Sequence, residues 1–456
     1  MPFWTYKNLA EVTQGTWLVE PNNLQGELTG LWHDTRDIKP GQAYLAIAGD
    51  NFDGHDFIDQ AFNAGATLAI VSKTPSPKPQ ASSPILIVED TVKALQDLAR
   101  AYRDELKAGG CKVIGIAGSN GKTTTRHLIH HVLTHAGLKG IQSPKSFNNH
   151  LGVPLTLLSG KPQDDFVACE IGTNHPGEIN FLSAIARPDI AVITSIGEEH
   201  MAFFGDLENV AREELSIINC IVSGGDLVLG NIQFWHTNAV EMASDRICVH
   251  DSSDAKLQPP VDSSLLGEHN RINAAVTKLA AQCLGVADLD IHGALKTVEP
   301  PAHRCVPIQY GSSVLVIDDC YNANPTSVIA ALHMLHECRP GTNKVAILGD
   351  MFELGDQAQK GHRRIGQYAA GVPVMLDHLI AIGGYAKTMV DAFSPKPEIS
   401  KANCFEQWSD DLPDKIAALL EPGDTVLLKA SRGMRLERLI PAIEQRFGAA
   451  QDDQPT

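Results

Sequence analysis

No two of the nine cysteines stand two residues apart, and their odd number is scattered from Cys111 to Cys404. That pattern argues against a zinc ribbon or a disulfide scaffold and fits reduced thiols. Positive charge is also scarce: 37 Lys and Arg face 54 Asp and Glu, a formal net charge of −17. An acidic chain is poorly suited to non-specific contact with nucleic acid or an anionic membrane, although a local basic pocket for a phosphate stays open. Apolar runs of membrane-spanning length are missing, so membrane insertion is not expected. The opening MPFWTYKNLAEVTQG has no basic stretch followed by an apolar core, so no signal peptide is expected and the protein is placed in the cytoplasm. Aromatics are few at 6%, but the apolar share of 43% is ordinary for a globular enzyme, and 456 residues suggest two to four domains.

Three breaks divide the chain. SKTPSPKPQASSP (72–84) and HDSSDAKLQPPVDSS (250–264) read as exposed polar loops, and the paired prolines of VEPPAHR (298–304) read as a domain junction. Between them, short apolar runs alternate with helical stretches. CKVIGIAG, FVACEIG, DIAVITSIG and DLVLG read as buried strands, and TTTRHLIHHVLTHAG has helical spacing closed by glycine. The alternation restarts after the third break with VLVIDDC, KVAILGD, HLIAIGG and DTVLLKAS. Strand–helix alternation predicts an α/β fold with parallel sheets, whose ligands bind beyond the carboxyl ends of the strands.

The most informative stretch is GIAGSNGKTTTRHL (115–128). A glycine-rich turn between a strand and a helix lets backbone N–H groups converge on phosphate oxygens. Gly118 and Gly121 remove side chains where a nucleotide would approach, Lys122 can reach its terminal phosphates, and the Thr123 hydroxyl can ligate magnesium. The strict phosphate-loop spacing is missed, because its first glycine would fall on Ile116 and Gly115 sits one position too early.

The stretch GSNGKTTT (118–125) resembles the phosphate loop of the Mur ligases, where the glycines are spaced this way. NNHLGVPLTLL, CEIGTNHPGEI, GEHNRINAA, DDCYNANPTS, LGDMFELG and KASRGMRLE follow in that family's order. YNANP and GDMFELG are the forms of the branch that adds D-alanyl-D-alanine to UDP-N-acetylmuramoyl-tripeptide. HDTRDIKPGQAYLAIAGDNFDGHDF (33–57) resembles the segment with which that branch holds the UDP end of its substrate.

The resemblance implies an ATP- and Mg2+-dependent amide ligase acting through an acyl phosphate, in peptidoglycan precursor synthesis. It implies three domains: residues 1–87 for the UDP-sugar, 88–303 as the central ATP-binding core, and 304–456 as a Rossmann-like unit. Nucleotide contacts are then expected from Gly118, Ser119, Asn120, Gly121, Lys122, Thr123 and Thr124. Asn270 and Arg304 would lie near the adenine and the phosphates, and Asp319, Tyr321, Asn322 and Asn324 would complete the site on domain closure. Thr123, Glu170 and His200 are the expected metal ligands; Lys122, Glu170, His200 and Glu214 are the expected catalytic set. Asp34, Thr35 and Arg36 would take the nucleotide end of the acid substrate, with Asn149 also on the substrate side. Lys429, Ser431 and Arg432 would take the dipeptide carboxylate. The expected partners are these two small molecules, with the chain a monomer. Turn-forming roles compete for Asn322 and Asn324, and a plain surface turn competes for residues 34–36.

The chain departs from the family at one central position. Mur ligases usually carry a lysine that carbon dioxide converts to a carbamate on the metal side; the aligned NVAREELSII (209–218) has Glu214 there. Glutamate already bears a carboxylate but on a shorter stem. Glu214 is therefore expected either to substitute for the carbamate or to be a solvated helix residue beside a weakened second metal site. Ser195, Ala202 and His303 also stand where the family often has asparagine, an acid and glycine. Two alternatives follow: a Mur-type amide ligase with another substrate, and an ATP-binding homologue that has lost ligation.

Overall fold

The computed structural model describes residues 2–49, 51–75, 83–243, 247–252, 261–311, 314–394 and 400–451. The two predicted polar loops lie partly outside these residues. Among the described residues the strands form three sheets. The first contains β1 (Thr16–Val19), β2 (Leu31–Trp32), β3 (Ala43–Leu45), β4 (Leu68–Val71) and β5 (Ile85–Ile87) in the order β1-β5-β4-β3-β2. Only the β1–β5 pair is antiparallel.

The second sheet contains β6 (Lys112–Ala117), β7 (Gly140–Gln142), β8 (Phe166–Glu170), β9 (Ile190–Ser195), β10 (Asp226–Asn231) and β11 (Cys248–Asp251). Its order is β11-β10-β9-β6-β8-β7, with every pairing parallel. The third contains β12 (Val306–Tyr310), β13 (Val314–Asp318), β14 (Lys344–Gly349), β15 (His378–Ile382), β16 (Lys401–Phe405), β17 (Thr425–Lys429) and β18 (Ala450–Gln451). Its order is β16-β15-β14-β17-β13-β12-β18, parallel from β16 to β13 and antiparallel at β12 and β18.

The predicted strands are thus present, and their unbroken apolar character has a physical reason. β8, β13, β14 and β17 are buried along their whole length, as parallel strands covered on both faces must be. Helix Lys122–His135 turns Leu128, Ile129, Val132 and Leu133 inward at helical spacing and packs on helix Glu268–Cys283. On the opposite face lies helix Thr91–Gly109. Its N-cap Asp90 accepts from the N–H groups of Val92 and Lys93, and Gly110 ends it at φ 95°. Leu95, Leu98, Tyr102 and Leu106 form its buried stripe, which packs on helices Tyr6–Thr13, Gly152–Ser159 and Glu178–Ala186. No helix among the described residues is long and apolar enough to cross a membrane.

Two switch points place the site. In the second sheet β6 lies between β8 and β9, with the chain crossing over β6 on its way from β8 to β9, so the loops after these three strands emerge side by side. In the third sheet β14, β17 and β13 are neighbours, so the loops after them are also grouped.

One buried ion pair ties helix Thr91–Gly109 to the second sheet. Arg103 Nη2 donates to Asp189 Oδ2 at 2.6 Å, and the same oxygen accepts the Val113 N–H at 2.9 Å. Both residues are buried. Asp189→Ala would strand the guanidinium and the Val113 amide, so a loss of about 3–5 kcal/mol in chemical denaturation is expected. A loss below 1 kcal/mol would contradict this account.

Candidate active site

The grouped loops of the second and third sheets enclose a cavity of about 840 Å³. Ser119 to Thr123, Asn148, Asn149, Glu170, Glu199 and His200 line one wall, and Arg304, Tyr321, Asn322, Glu353, Lys429 and Arg432 line the other.

The phosphate-loop turn depends on two glycines. Gly118 has φ 120°, and a methyl group there would lie 2.3 Å from Thr194 Oγ1. Gly121 has φ 90°, and a methyl group would lie 2.5 Å from Asn273 Oδ1. Thr194 Oγ1 donates to the Asn120 carbonyl at 2.6 Å, and Asn120 N–H donates to Ser195 Oγ at 3.0 Å. Helix Lys122–His135 therefore begins at a fixed point. It has no side-chain cap and no acidic residue in its first turn, so its N-terminal N–H groups are a favourable place for an anion.

Lys122 folds back on this turn. Its ammonium donates to the Gly118 carbonyl and lies 3.4 Å from Glu199 Oε2. Burial alone would lower its pKa, but the charges of Glu199, Glu214 and Glu170 outweigh burial and hold the ammonium above its usual value. Burial pushes the Glu199 carboxyl well above the usual carboxylate range; Lys122 opposes that and the charge of Glu214 adds to it.

Glu170 ends β8 beside the helix start. Thr123 Oγ1 donates to its two oxygens at 3.1 and 3.2 Å, and Asn148 Nδ2 donates at 3.0 Å. Arg126 Nε lies 3.5 Å from Oε2. A hydroxyl and a carboxylate at this spacing are hard oxygen donors, the set that suits a magnesium ion.

Contacts across the cavity bring the third sheet to the loop. Asn324 Nδ2 donates to Asn120 Oδ1 at 2.9 Å, and Arg304 Nη2 reaches Thr123 Oγ1 at 3.4 Å. The Arg304 guanidinium lies over the Tyr321 ring at 4.3 Å, and the Tyr321 hydroxyl is 2.5 Å from Ser146 Oγ. His200, in a left-handed conformation at φ 46°, puts Nδ1 2.6 Å from Glu353 Oε2. This contact is close but is not a well-aligned hydrogen bond. Lys429 donates to Asp319 Oδ2 at 2.5 Å and to the Asn322 carbonyl at 3.0 Å.

Not every expected site residue reaches the cavity wall. Gly118, Thr124, Asn270 and Asp319 stand behind it, and Asn324 and Ser431 line a smaller cavity that adjoins it at Glu199, His200 and Asn322. Asn270 accepts from Asn273, which packs on Gly121. Ser431 Oγ accepts the Phe352 N–H at 2.8 Å and shapes the loop that carries Glu353. Asn324 also caps helix Pro325–Glu337 in a reciprocal box with Ser327, so its structural role is present alongside its cross-cavity contact. Asp34, Thr35 and Arg36 lie outside the cavity, in the loop after β2. Arg36 hydrogen-bonds Asp34 and pulls its carboxyl down to about 2.

The structure corrects one alternative. Glu214 is not a solvated helix residue: it is fully buried, and its Oε2 accepts the Gly118 N–H at 2.6 Å. Helix Leu207–Leu215 turns Val210, Ala211, Glu214 and Leu215 inward, and the short glutamate stem matches the distance to the phosphate loop. Its other oxygen, Oε1, has no well-aligned hydrogen-bond partner among the described residues.

Glu199, Glu353, Asn148 and Ser146 were not singled out from sequence. Glu199 precedes His200 just past a buried strand, and Glu353 lies within GDMFELG, so position relative to a strand end was the available signal. Their partners come from distant segments and carry no local signature.

Three family models match the chain: "Mur ligase family, catalytic domain" over 27–103, "Mur ligase middle domain" over 116–248, and "Mur ligase, glutamate ligase domain" over 303–432. The UDP-N-acetylmuramoyl-tripeptide–D-alanyl-D-alanine ligase of Bacillus subtilis is 34% identical, over 96% of this chain and 97% of its own. A crystal structure of MurF from Acinetobacter baumannii superposes with a TM-score of 0.83 at 30% identity, covering 97% of this chain and 99% of that one. MurF from Thermotoga maritima, solved with ADP, superposes at 0.73 with 25% identity, covering 92% and 97%.

The tight packing above Gly118 makes a direct expectation. Gly118→Ala would force a methyl group against Thr194 and the N–H groups of Thr194 and Ser195. A destabilisation of about 1–3 kcal/mol is expected from overpacking and the positive φ. Urea denaturation checks it, and an unchanged midpoint would show that the turn relaxes freely.

Proposed function

The chain belongs to the Mur ligase family, and from that premise we propose that it joins D-alanyl-D-alanine to UDP-N-acetylmuramoyl-tripeptide with ATP. The product is a peptidoglycan precursor. The observation that carries the reading is the cavity in which an uncapped, glycine-turned helix start and Lys122 face Arg304, Tyr321 and Lys429 from another sheet. Relatives bearing one enzyme name match the chain nearly end to end, which supports the same choice of substrates.

Bound ATP supplies the γ-phosphoryl group that makes a carboxylate reactive, and Mg2+ supplies charge that lets two anions meet. Lys122, held at the Gly118 carbonyl and beside Glu199, would turn toward the phosphates and supply a positive charge to them. Thr123 and Glu170 are the hard oxygen pair that would hold the metal. Ser119, Asn120 and Gly121 shape the loop around the nucleotide, while Thr124 and Asn270 buttress it. Arg304 stacks on Tyr321 at the wall and reaches toward Thr123, where it can meet phosphate charge. Asp319 fixes Lys429, and Lys429, Ser431 and Arg432 form the side that would receive the dipeptide carboxylate. Asn149 faces the acid substrate, whose UDP end we assign to Asp34, Thr35 and Arg36. Residues 1–87, 88–303 and 304–456 act as the three working units of a cytoplasmic monomer in this reading.

Glu214 places a carboxyl group under the loop, with Oε2 on the Gly118 amide, and needs no carbon dioxide. His200 is the remaining candidate for a second metal, opposite Glu353. A second reading has an observation behind it: Glu214 spends one oxygen on the Gly118 amide and does not line the cavity, which favours a homologue that binds ATP with weakened ligation.

Phosphate release with ATP, magnesium and the tripeptide substrate separates these. Release should require D-alanyl-D-alanine and be the same in carbon-dioxide-free buffer and with bicarbonate. Bicarbonate dependence would remove the role given to Glu214. ATP binding without release would favour the second reading. Lys122→Ala should lower turnover by about 10²–10³-fold, the usual effect of deleting one positioned donor to developing charge.

A further inference from the structure

Behind the Arg304–Tyr321 wall, three side chains of different chemistry converge. His303 Nδ1 lies 2.7 Å from Asp318 Oδ2, and Cys320 Sγ lies 2.8 Å from Asp318 Oδ1. The sulfur is 3.8 Å from His303 Nδ1. One ligand atom from each residue falls within 4.8 Å of the others. Glu437 Oε2 stands 3.6 Å from the same sulfur, and Arg432 holds its other oxygen at 2.7 Å. Cys320 and Asp318 are buried, while His303 keeps 31% of its side chain exposed, so the group is closed below and open at one edge. His303 also sits at φ 59°, a left-handed conformation that costs a non-glycine residue about 1–3 kcal/mol.

The geometry points to a binding site for one borderline-soft divalent ion of the zinc class, held by His303 Nδ1, the Asp318 carboxylate and the Cys320 thiolate, with Glu437 as the nearest further oxygen donor. Nitrogen, oxygen and sulfur together suit zinc, and a thiolate disfavours magnesium, so this site would be chemically distinct from the one beside Thr123. Donor atoms around a tetrahedral zinc lie roughly 3.3–3.6 Å apart for the usual bond lengths. The two spacings at the sulfur that do not involve Asp318 are already close to this. The shorter contacts to Asp318 are hydrogen-bond lengths, and they open when protons leave. On binding, the Cys320 S–H releases one proton and the sulfur lone pair bonds the ion; the neutral imidazole moves its proton from Nδ1 to Nε2. Without the ion the thiol is held protonated, because burial and then Asp318 push it up.

The location gives the ion a role. His303 and Cys320 are the chain neighbours of Arg304 and Tyr321, and the Tyr321 N–H donates to the His303 carbonyl at 3.2 Å. An ion here would clip the two segments that present the stacked pair to the cavity. A second His/Asp/Cys grouping, Asp226, His250 and Cys283, is only half-buried and lies at the far side of the second sheet, where it serves as an internal control.

Cobalt titration of the chelator-stripped full-length protein tests the site without reference to ligase turnover. One equivalent of Co2+ should give a thiolate-to-cobalt charge-transfer band that Zn2+ removes. Cys320→Ser should abolish the band and Cys283→Ser should keep it. His303→Gly relaxes the left-handed backbone and should fold at least as well as the parent, yet bind Co2+ at least tenfold more weakly and lose the zinc-induced rise in Tm. Absence of the band in the parent, or its loss in Cys283→Ser with retention in Cys320→Ser, would overturn the proposal. Unchanged cobalt affinity in His303→Gly would overturn it even if Cys320→Ser failed to fold. Asp318 would then be only a hydrogen-bond acceptor for its two neighbours.

Discussion

The ammonium of Lys122 stands against three buried carboxylates, Glu170, Glu199 and Glu214, and the cavity is arranged around that imbalance. Buried charge persists only when it is paired or hydrogen-bonded. Each carboxylate accordingly has an assigned partner. Glu170 takes Thr123, Asn148 and Arg126; Glu214 takes the Gly118 amide; Glu199 takes Lys122. The lysine is the counter-ion of these acids. An incoming polyphosphate would compete for it, and a cation would then be needed to balance the acids it leaves. Charge balance at one lysine would thus couple the proposed nucleotide and metal sites.

The same constraint explains why two sheets must meet. The loops after β6, β8 and β9 supply most of the acids and the anion-binding helix start, while Arg304, Tyr321 and Lys429 come from the start and the strand ends of the third unit. Asn324 on Asn120, Tyr321 on Ser146 and Glu353 on His200 join the halves through polar contacts at the cavity itself. Polar contacts of this kind are modest individually. A junction made of them can open to admit substrates and close to exclude water from an activated carboxylate.

The zinc-class site would lie on the third-sheet side of this junction. Its ligands flank Arg304 and Tyr321 in the chain, so local stiffness there would be transmitted to the stacked pair and not to the phosphate loop. Glu437 connects it to Arg432 on the cavity wall. Such stiffness would lie beneath one wall, apart from the polar seam between the walls.

The sequence by itself determined the elements: buried parallel strands such as Phe166–Glu170 and Thr425–Lys429 read as unbroken apolar runs, and the glycine turn before Lys122 read as a phosphate cradle. Both are local signals, because strand burial and backbone φ act on contiguous residues. It also marked Glu214 as out of place, but not what the residue does. Only the tertiary structure decided that Glu214 lies under Gly118, that Glu199 opposes Lys122, and that Asp318 gathers His303 and Cys320. These pairings join residues up to 96 positions apart. Burial, and with it the strength of each charge, exists only once the sheets have packed.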